Sequence, residues 1–147
     1  MENLDDGSRY WKSVGFAHDM GIKFYYARDG VCELGLKVED RHRNYFGIIH
    51  GGVLYSIMDS AAGIGAATTG DLCVTVQGNC DCIRSATGGM LRCRAECIKN
   101  GDSLVRMSTR VLNENDEEVA RGYYLMFKIK NGSEALKNRL PDYSEEE

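Results

Sequence analysis

The chain has 147 residues, the usual size of one domain and long enough to bury a core without disulfides or metals. Its formal net charge is −4, from 22 acidic and 18 basic residues. That balance argues against nucleic acid as a partner, because phosphate binding leaves a basic footprint. No apolar run approaches the length needed to span a bilayer, and residues 1–6 are acidic and polar, unlike a secretory leader.

The six cysteines are Cys32, Cys73, Cys80, Cys82, Cys93 and Cys97. Without a leader they read as reduced thiols of a cytoplasmic protein with no membrane association. There is one proline, Pro141, and no linker, repeat or low-complexity block other than the terminal run Glu145-Glu146-Glu147. The expected organisation is one domain over residues 1–147, with its core at about residues 20–130 and a polar, acidic C-terminal tail.

Residues 8–19 carry a mixed helical pattern with Trp11, Val14 and Ala17. Residues 22–27 are strand-like and end at the turn Arg28-Asp29-Gly30. A second strand is expected over residues 31–38, followed by a polar loop over residues 39–44. The strongest helix signal covers residues 51–67, where Leu54, Ile57, Met58, Ala61 and Ile64 share one face. The opposite face holds Gly52, Ser56, Asp59, Gly63 and Ala66, small enough for close packing. Four strands are expected after it, at about residues 74–83, 89–98, 103–112 and 118–130. Turn residues at Lys99-Asn100-Gly101-Asp102 and Asn113-Glu114-Asn115-Asp116 make the neighbours antiparallel. Val105, Met107, Thr109 and Val111 alternate with polar residues, and Tyr123, Leu125, Phe127 and Ile129 alternate likewise. One long helix with at least four antiparallel strands is an α+β protein.

The chemistry concentrates in Asn44-Tyr45-Phe46-Gly47-Ile48-Ile49-His50-Gly51-Gly52 and in Asp59. This is a loop ending at a helix N-terminus, opened by two glycines that let a ligand approach the backbone. Free N–H groups of a first helical turn and the helix dipole favour developing negative charge, as acyl transfer requires. Asp59 lies two turns on, roughly 12 Å at 1.5 Å per residue. It cannot easily serve that N-terminus within one chain. A second copy of the helix, antiparallel across a dimer interface, would bring one chain's N-terminus to the other chain's Asp59.

The pattern Asn-x-x-Gly-x-x-His-Gly-Gly, followed by Asp seven residues after the second Gly, resembles the hotdog-fold thioesterases. The likeness is closest to the phenylacetate-pathway (PaaI-like) and acyl-CoA branch, and it spans most of the chain. It implies an antiparallel sheet wrapped around a long central helix. It also implies a homodimer or homotetramer with sites at the subunit interface, acting on acyl-CoA with no metal or other cofactor. By the same resemblance, Asp59 is the general base or nucleophile and the Gly51 backbone N–H polarises the thioester carbonyl. Asn44 helps orient the nucleophile or carbonyl, with His50 beside it. Thr75 positions the attacking water. Gly52 and the segment with Arg84, Ser85 and Thr87 fall where relatives contact substrate. Relatives often have proline where this chain has Ser85, so this loop is expected to be shaped differently.

Each residue also has a plainer reading. His50 fits a helix-start histidine with a structural hydrogen bond, Asn44 a turn residue, and Thr75 an ordinary strand threonine. Cys80 and Cys82, two residues apart, share a strand face without a matching pair at metal-site spacing, and read as buried small hydrophobes, as do Cys93 and Cys97. Arg92 and Arg94 read as a solvated strand face, and Gly88-Gly89 as a turn. His18 and His42 carry no assignment. Tyr45, Phe46, Tyr55 and Met58 are candidates for shaping an acyl pocket. Two further function classes remain open: a hotdog-fold acyl-thioester dehydratase or hydratase, which pairs His with Glu or Asp in a different motif, and a non-catalytic acyl-CoA binder.

Overall fold

The computed structural model describes Trp11 and residues 15–131. Of the helix expected over residues 8–19, only α1 (Phe16–Asp19) lies within that range along with Trp11 and Gly15. The acidic tail lies outside the described residues. Strands β1 (Lys23–Arg28) and β2 (Val31–Lys37) form a hairpin. Its turn has positive φ at both central residues, Asp29 (51°) and Gly30 (79°), as a two-residue hairpin turn with the right twist demands. A 3-10 turn at Asp40–His42 leads into the loop before α2 (Gly51–Ala67). Then come β3 (Cys73–Gly78), β4 (Asp81–Cys82), β5 (Met90–Asn100), β6 (Leu104–Leu112) and β7 (Glu118–Lys128).

All strands join one antiparallel sheet in the order β1-β2-β5-β6-β7-β3, with β4 also paired to β7. The inner face of the sheet wraps α2. Leu54, Ile57, Met58, Ala61 and Ile64 are all buried, as their spacing requires. They meet Leu34 and Leu36 of β2, Leu91 and Cys93 of β5, Val105 and Met107 of β6, and Tyr124 and Met126 of β7 in one core. Gly65 lets the helix approach the sheet. A methyl there would lie 2.8 Å from Met107 Cε and 3.5 Å from the Cys32 backbone nitrogen. That close packing offsets the roughly 1 kcal/mol of helix propensity that glycine costs.

The structure departs from the sequence reading in five places. The strand expected over residues 74–83 is broken at Asn79. Asn79 Oδ1 accepts from the Tyr123 N–H at 2.7 Å, and β4 resumes pairing with β7 beyond it. On β7 the inward set is Ala120, Gly122, Tyr124 and Met126, whereas Tyr123 and Phe127 point outward and are exposed. Ala66, expected on the open helix face, is fully buried. Met58 is also fully buried in the core and shapes no open pocket. Cys82, expected to be buried, is exposed.

Candidate active site

The loop from Arg43 to His50 is a small structured turn that fixes how α2 begins. Asn44 organises it. Its Oδ1 accepts from the N–H groups of Phe46 (2.9 Å) and Ile48 (3.3 Å), while its backbone pairs with Ile48 and Gly47. The carboxamide oxygen is therefore committed to the loop, which leaves only the amide nitrogen as a donor for a ligand. Tyr45 and Phe46 sit at the loop tip, both largely exposed.

His50 is the N-cap of α2. Its Nδ1 accepts from the Gly52 N–H at 2.8 Å, satisfying one of the four N–H groups that the first turn leaves without intrahelical partners. Gly52's amide, expected to contact substrate, is thus already occupied. The Gly51 N–H has no partner among the described residues and is open to an incoming oxyanion. The backbone N–H of His50 donates to the carbonyl of His42 at 2.8 Å. His42 itself is fully buried: its Nδ1 accepts from the Glu39 N–H at 2.9 Å and its Nε2 donates to the Met20 carbonyl at 2.7 Å. This histidine, unassigned from sequence, ties α1, the 3-10 turn and the start of α2 together. A histidine in a charged stretch carries no sequence mark of burial.

Asp59 lies half-buried on the open face of α2, and the Thr75 hydroxyl donates to its Oδ1 at 2.6 Å. The two residues named separately from the motif are therefore brought together. Thr75 stands on β3 just before a bulge at Val76, which re-aims the strand locally. Tyr55, one turn before Asp59, packs against Tyr124 with ring centroids 5.3 Å apart and planes tilted by 58°, and the Tyr124 hydroxyl donates to the Tyr55 carbonyl. Burial, with the charge of Asp59 adding to it, holds the Tyr55 phenol above its ordinary pKa and so keeps it neutral near the carboxylate.

The Arg84–Gly88 segment runs beside the loop. The Ile49 N–H donates to the Ala86 carbonyl at 2.8 Å and Arg43 Nε donates to the Thr87 carbonyl at 2.8 Å. Arg84 is held by Glu117 at 3.1 Å, which reduces its availability to a ligand phosphate. The side chains of Ser85 and Thr87 are exposed and unengaged among the described residues. Arg92 pairs with Asp116, and Arg94 with Glu33 and Glu96, so both belong to the solvated outer face of the sheet. Against the start of α2 sits Cys82: a methyl on Gly51 would be 3.7 Å from its sulfur. No group of three or more metal-ligating side chains occurs among the described residues, and no helix there is long and apolar enough to cross a membrane.

A single antiparallel sheet curled around one long helix, with a glycine-opened helix start and an acid–hydroxyl pair further along, defines a hotdog-fold α+β protein. Residues 46–120 match the thioesterase superfamily, and the chain belongs to that family. It is 25% identical over 107 residues to the 1,4-dihydroxy-2-naphthoyl-CoA hydrolase of Listeria monocytogenes, covering 71% of this chain and 87% of that one. A hypothetical thioesterase protein from Streptococcus pneumoniae, solved with coenzyme A, superposes with a TM-score of 0.71 at 25% identity, over 74% of this chain and 85% of that one. The PaaI protein from the phenylacetic acid degradation operon of Escherichia coli shares the fold, with a TM-score of 0.74 at 22% identity over 78% and 83% of the two chains.

Proposed function

We propose that the chain is an acyl-CoA thioesterase whose sites are completed by a second copy of itself. The observation that carries this reading is the division of labour along α2. A Gly51 N–H without a partner among the described residues stands at its start, and the Asp59–Thr75 pair stands two turns later on its open face. One helix presents both halves of a site, too far apart to act on the same carbonyl.

The edge strand supplies the reason for a second copy. Among the described residues β3 pairs only with β7, and its outward residues Val74 and Val76 are 47% and 57% exposed. An apolar, unprotected edge is a template for pairing with another chain. Leu104 and Phe127, neighbours across β6 and β7, extend the apolar surface beside it and suit a further contact that makes a tetramer from two dimers. Two copies meeting edge to edge along β3 would run their α2 helices antiparallel. Gly51 of each would then face Asp59 of the partner subunit.

In that arrangement the thioester carbonyl oxygen accepts from the Gly51 N–H. Asp59 of the partner subunit, fixed by Thr75, takes a proton from water as the water oxygen bonds to the carbonyl carbon. The tetrahedral oxyanion collapses, the carbon–sulfur bond breaks, and coenzyme A leaves as thiolate to be protonated. Direct attack by Asp59, giving an acyl anhydride that water then cleaves, fits the same atoms. The coenzyme A-acting relatives support the substrate class. The dehydratase alternative pairs a His with Glu or Asp, whereas among the described residues His42 has both ring nitrogens bonded inside the fold and His50 has no carboxylate partner.

The test is steady-state hydrolysis of a panel of aliphatic and aryl acyl-CoAs by wild type and Asp59→Asn. Wild type should release free coenzyme A, and Asp59→Asn should lose at least about a hundredfold in kcat with its circular dichroism unchanged. Acyl-CoA binding without thiol release by wild type would favour the non-catalytic binder. Near-wild-type turnover in Asp59→Asn would remove the carboxylate from the mechanism.

A further inference from the structure

Cys80 and Cys82 flank Asp81 with their sulfurs 3.7 Å apart; Cys82 belongs to β4 and Cys80 lies in the break just before it. Even a fully extended two-residue step spans only about 6.6 Å. At that spacing, the sulfurs meet only because the side chains lean toward each other. Cα separations up to about 6.8 Å accommodate a disulfide, so closure from 3.7 Å asks mainly for side-chain rotation.

The two thiols are not equivalent. Cys80 is half-buried against the core and paired at its backbone neighbour, Asn79, with Tyr123. Cys82 is exposed and lies against Gly51. The remaining cysteines differ: Cys32 and Cys93 are buried in the core, out of reach of solutes, while Cys73 on edge strand β3 and Cys97 on central strand β5 are part-buried. Burial first, then the hydrogen bond with Cys82 and the charges of Cys82 and Asp81, push the Cys80 thiol up to about 12. That shift slows Cys80 as a first nucleophile, so exposure makes Cys82 the thiol a solute meets first, and the 3.7 Å separation places Cys80 to resolve it.

We infer that Cys80 and Cys82 are a reversible dithiol–disulfide site at the mouth of the α2 N-terminus, oxidised by low-molecular-weight disulfides. In the first step Cys82 thiolate attacks a small disulfide. A mixed disulfide forms and one small thiolate leaves. In the second, Cys80 loses its proton and attacks the Cys82 sulfur, expelling the second thiolate. The protein loses two protons and two electrons, and the small disulfide takes them up to become two thiols. An excess of thiol reductant reverses the same exchange and reopens the bridge. The site changes what lines the helix start, because the sulfur now against Gly51 is drawn toward Cys80. This inference needs no assumption about the reaction catalysed.

The experiment treats the full-length protein with oxidised glutathione, alkylates it in denaturant, and maps the products by mass spectrometry. Of six titratable thiols, two should disappear, the bridge should join Cys80 to Cys82, and dithiothreitol should restore all six. Cys80→Ser should stop at glutathione on Cys82, and Cys82→Ser should keep its remaining Cys80 thiol free over the same time. Persistence of the mixed disulfide in wild type, a bridge between Cys73 and Cys97 instead, or no reaction at Cys82 would each overturn the inference.

Discussion

Thr75 reaches Asp59 through a hydroxyl that donates to a carboxylate at 2.6 Å, and such charge-assisted bonds contribute about 1.5–3 kcal/mol, more than neutral ones. Thr75→Val keeps the volume and the branched shape but removes the donor. Its expected effect is a fall in kcat of about ten- to a hundredfold with KM little changed, read in the same hydrolysis assay. Equal loss in KM alone would mean that Thr75 contacts substrate and does not fix the acid. His50 makes a different kind of prediction, because its ring is spent on the Gly52 N–H. His50→Ala should lower stability by about 1 kcal/mol, a few degrees in Tm, and His50→Asn should restore most of it because Asn is a strong N-cap. The sequence made Asp59, Gly51 and His50 visible through fixed spacing. It could not separate His50 as cap from His50 as participant, since both need a histidine just before the helix. It also could not mark His42, whose burial is created by α1 and the 3-10 turn folding over it, nor the nearness of Cys82 to Gly51, which arises only when β4 is laid beside β7.

At the scale of elements, legibility followed periodicity. The helix was readable to its end residues because its apolar positions fall on one face and its cap lies at a fixed offset. β6 was readable because Arg106, Ser108 and Arg110 separate its apolar residues. β7 was not, because Tyr123-Tyr124-Leu125-Met126-Phe127 is apolar in both registers and alternation alone cannot choose. What chooses is close approach at Gly122. A methyl there would lie 2.0 Å from the Asn79 carbonyl oxygen, a backbone atom that no rotamer change can move. The same contact explains the break between β3 and β4, because Asn79 bonds to Tyr123 on both its backbone N–H and its side chain. Gly122→Ala should therefore push Asn79 away and cost about 2–3 kcal/mol, read as a lower urea midpoint with unchanged slope. A midpoint within a few tenths of a kcal/mol of wild type would show that this edge moves freely.

At the scale of the whole molecule, the two-copy site makes a prediction that no single-chain site shares. Replacing Gly51 by proline removes the N–H proposed to hold the carbonyl, and the backbone tolerates it. Proline suits the first helical position, and the preceding His50 already has φ −69° and ψ 134°, the extended conformation that a residue before proline prefers. The added ring carbon on Cα meets only the Cys82 sulfur at an ordinary 3.7 Å. Gly51→Pro and Asp59→Asn homo-oligomers should both be inactive, each for lack of one half of every site. In a hybrid dimer, one site combines the intact Gly51 of the Asp59→Asn chain with the intact Asp59 of the Gly51→Pro chain. The other site carries both defects. Random pairing makes half the dimers hybrid with one working site in two, so a refolded equimolar mixture should recover about a quarter of wild-type activity. Light scattering on the same samples checks that the mass corresponds to two chains or four. If both residues served one site within a single chain, every site in the mixture would keep one defect, and no activity would return at any mixing ratio.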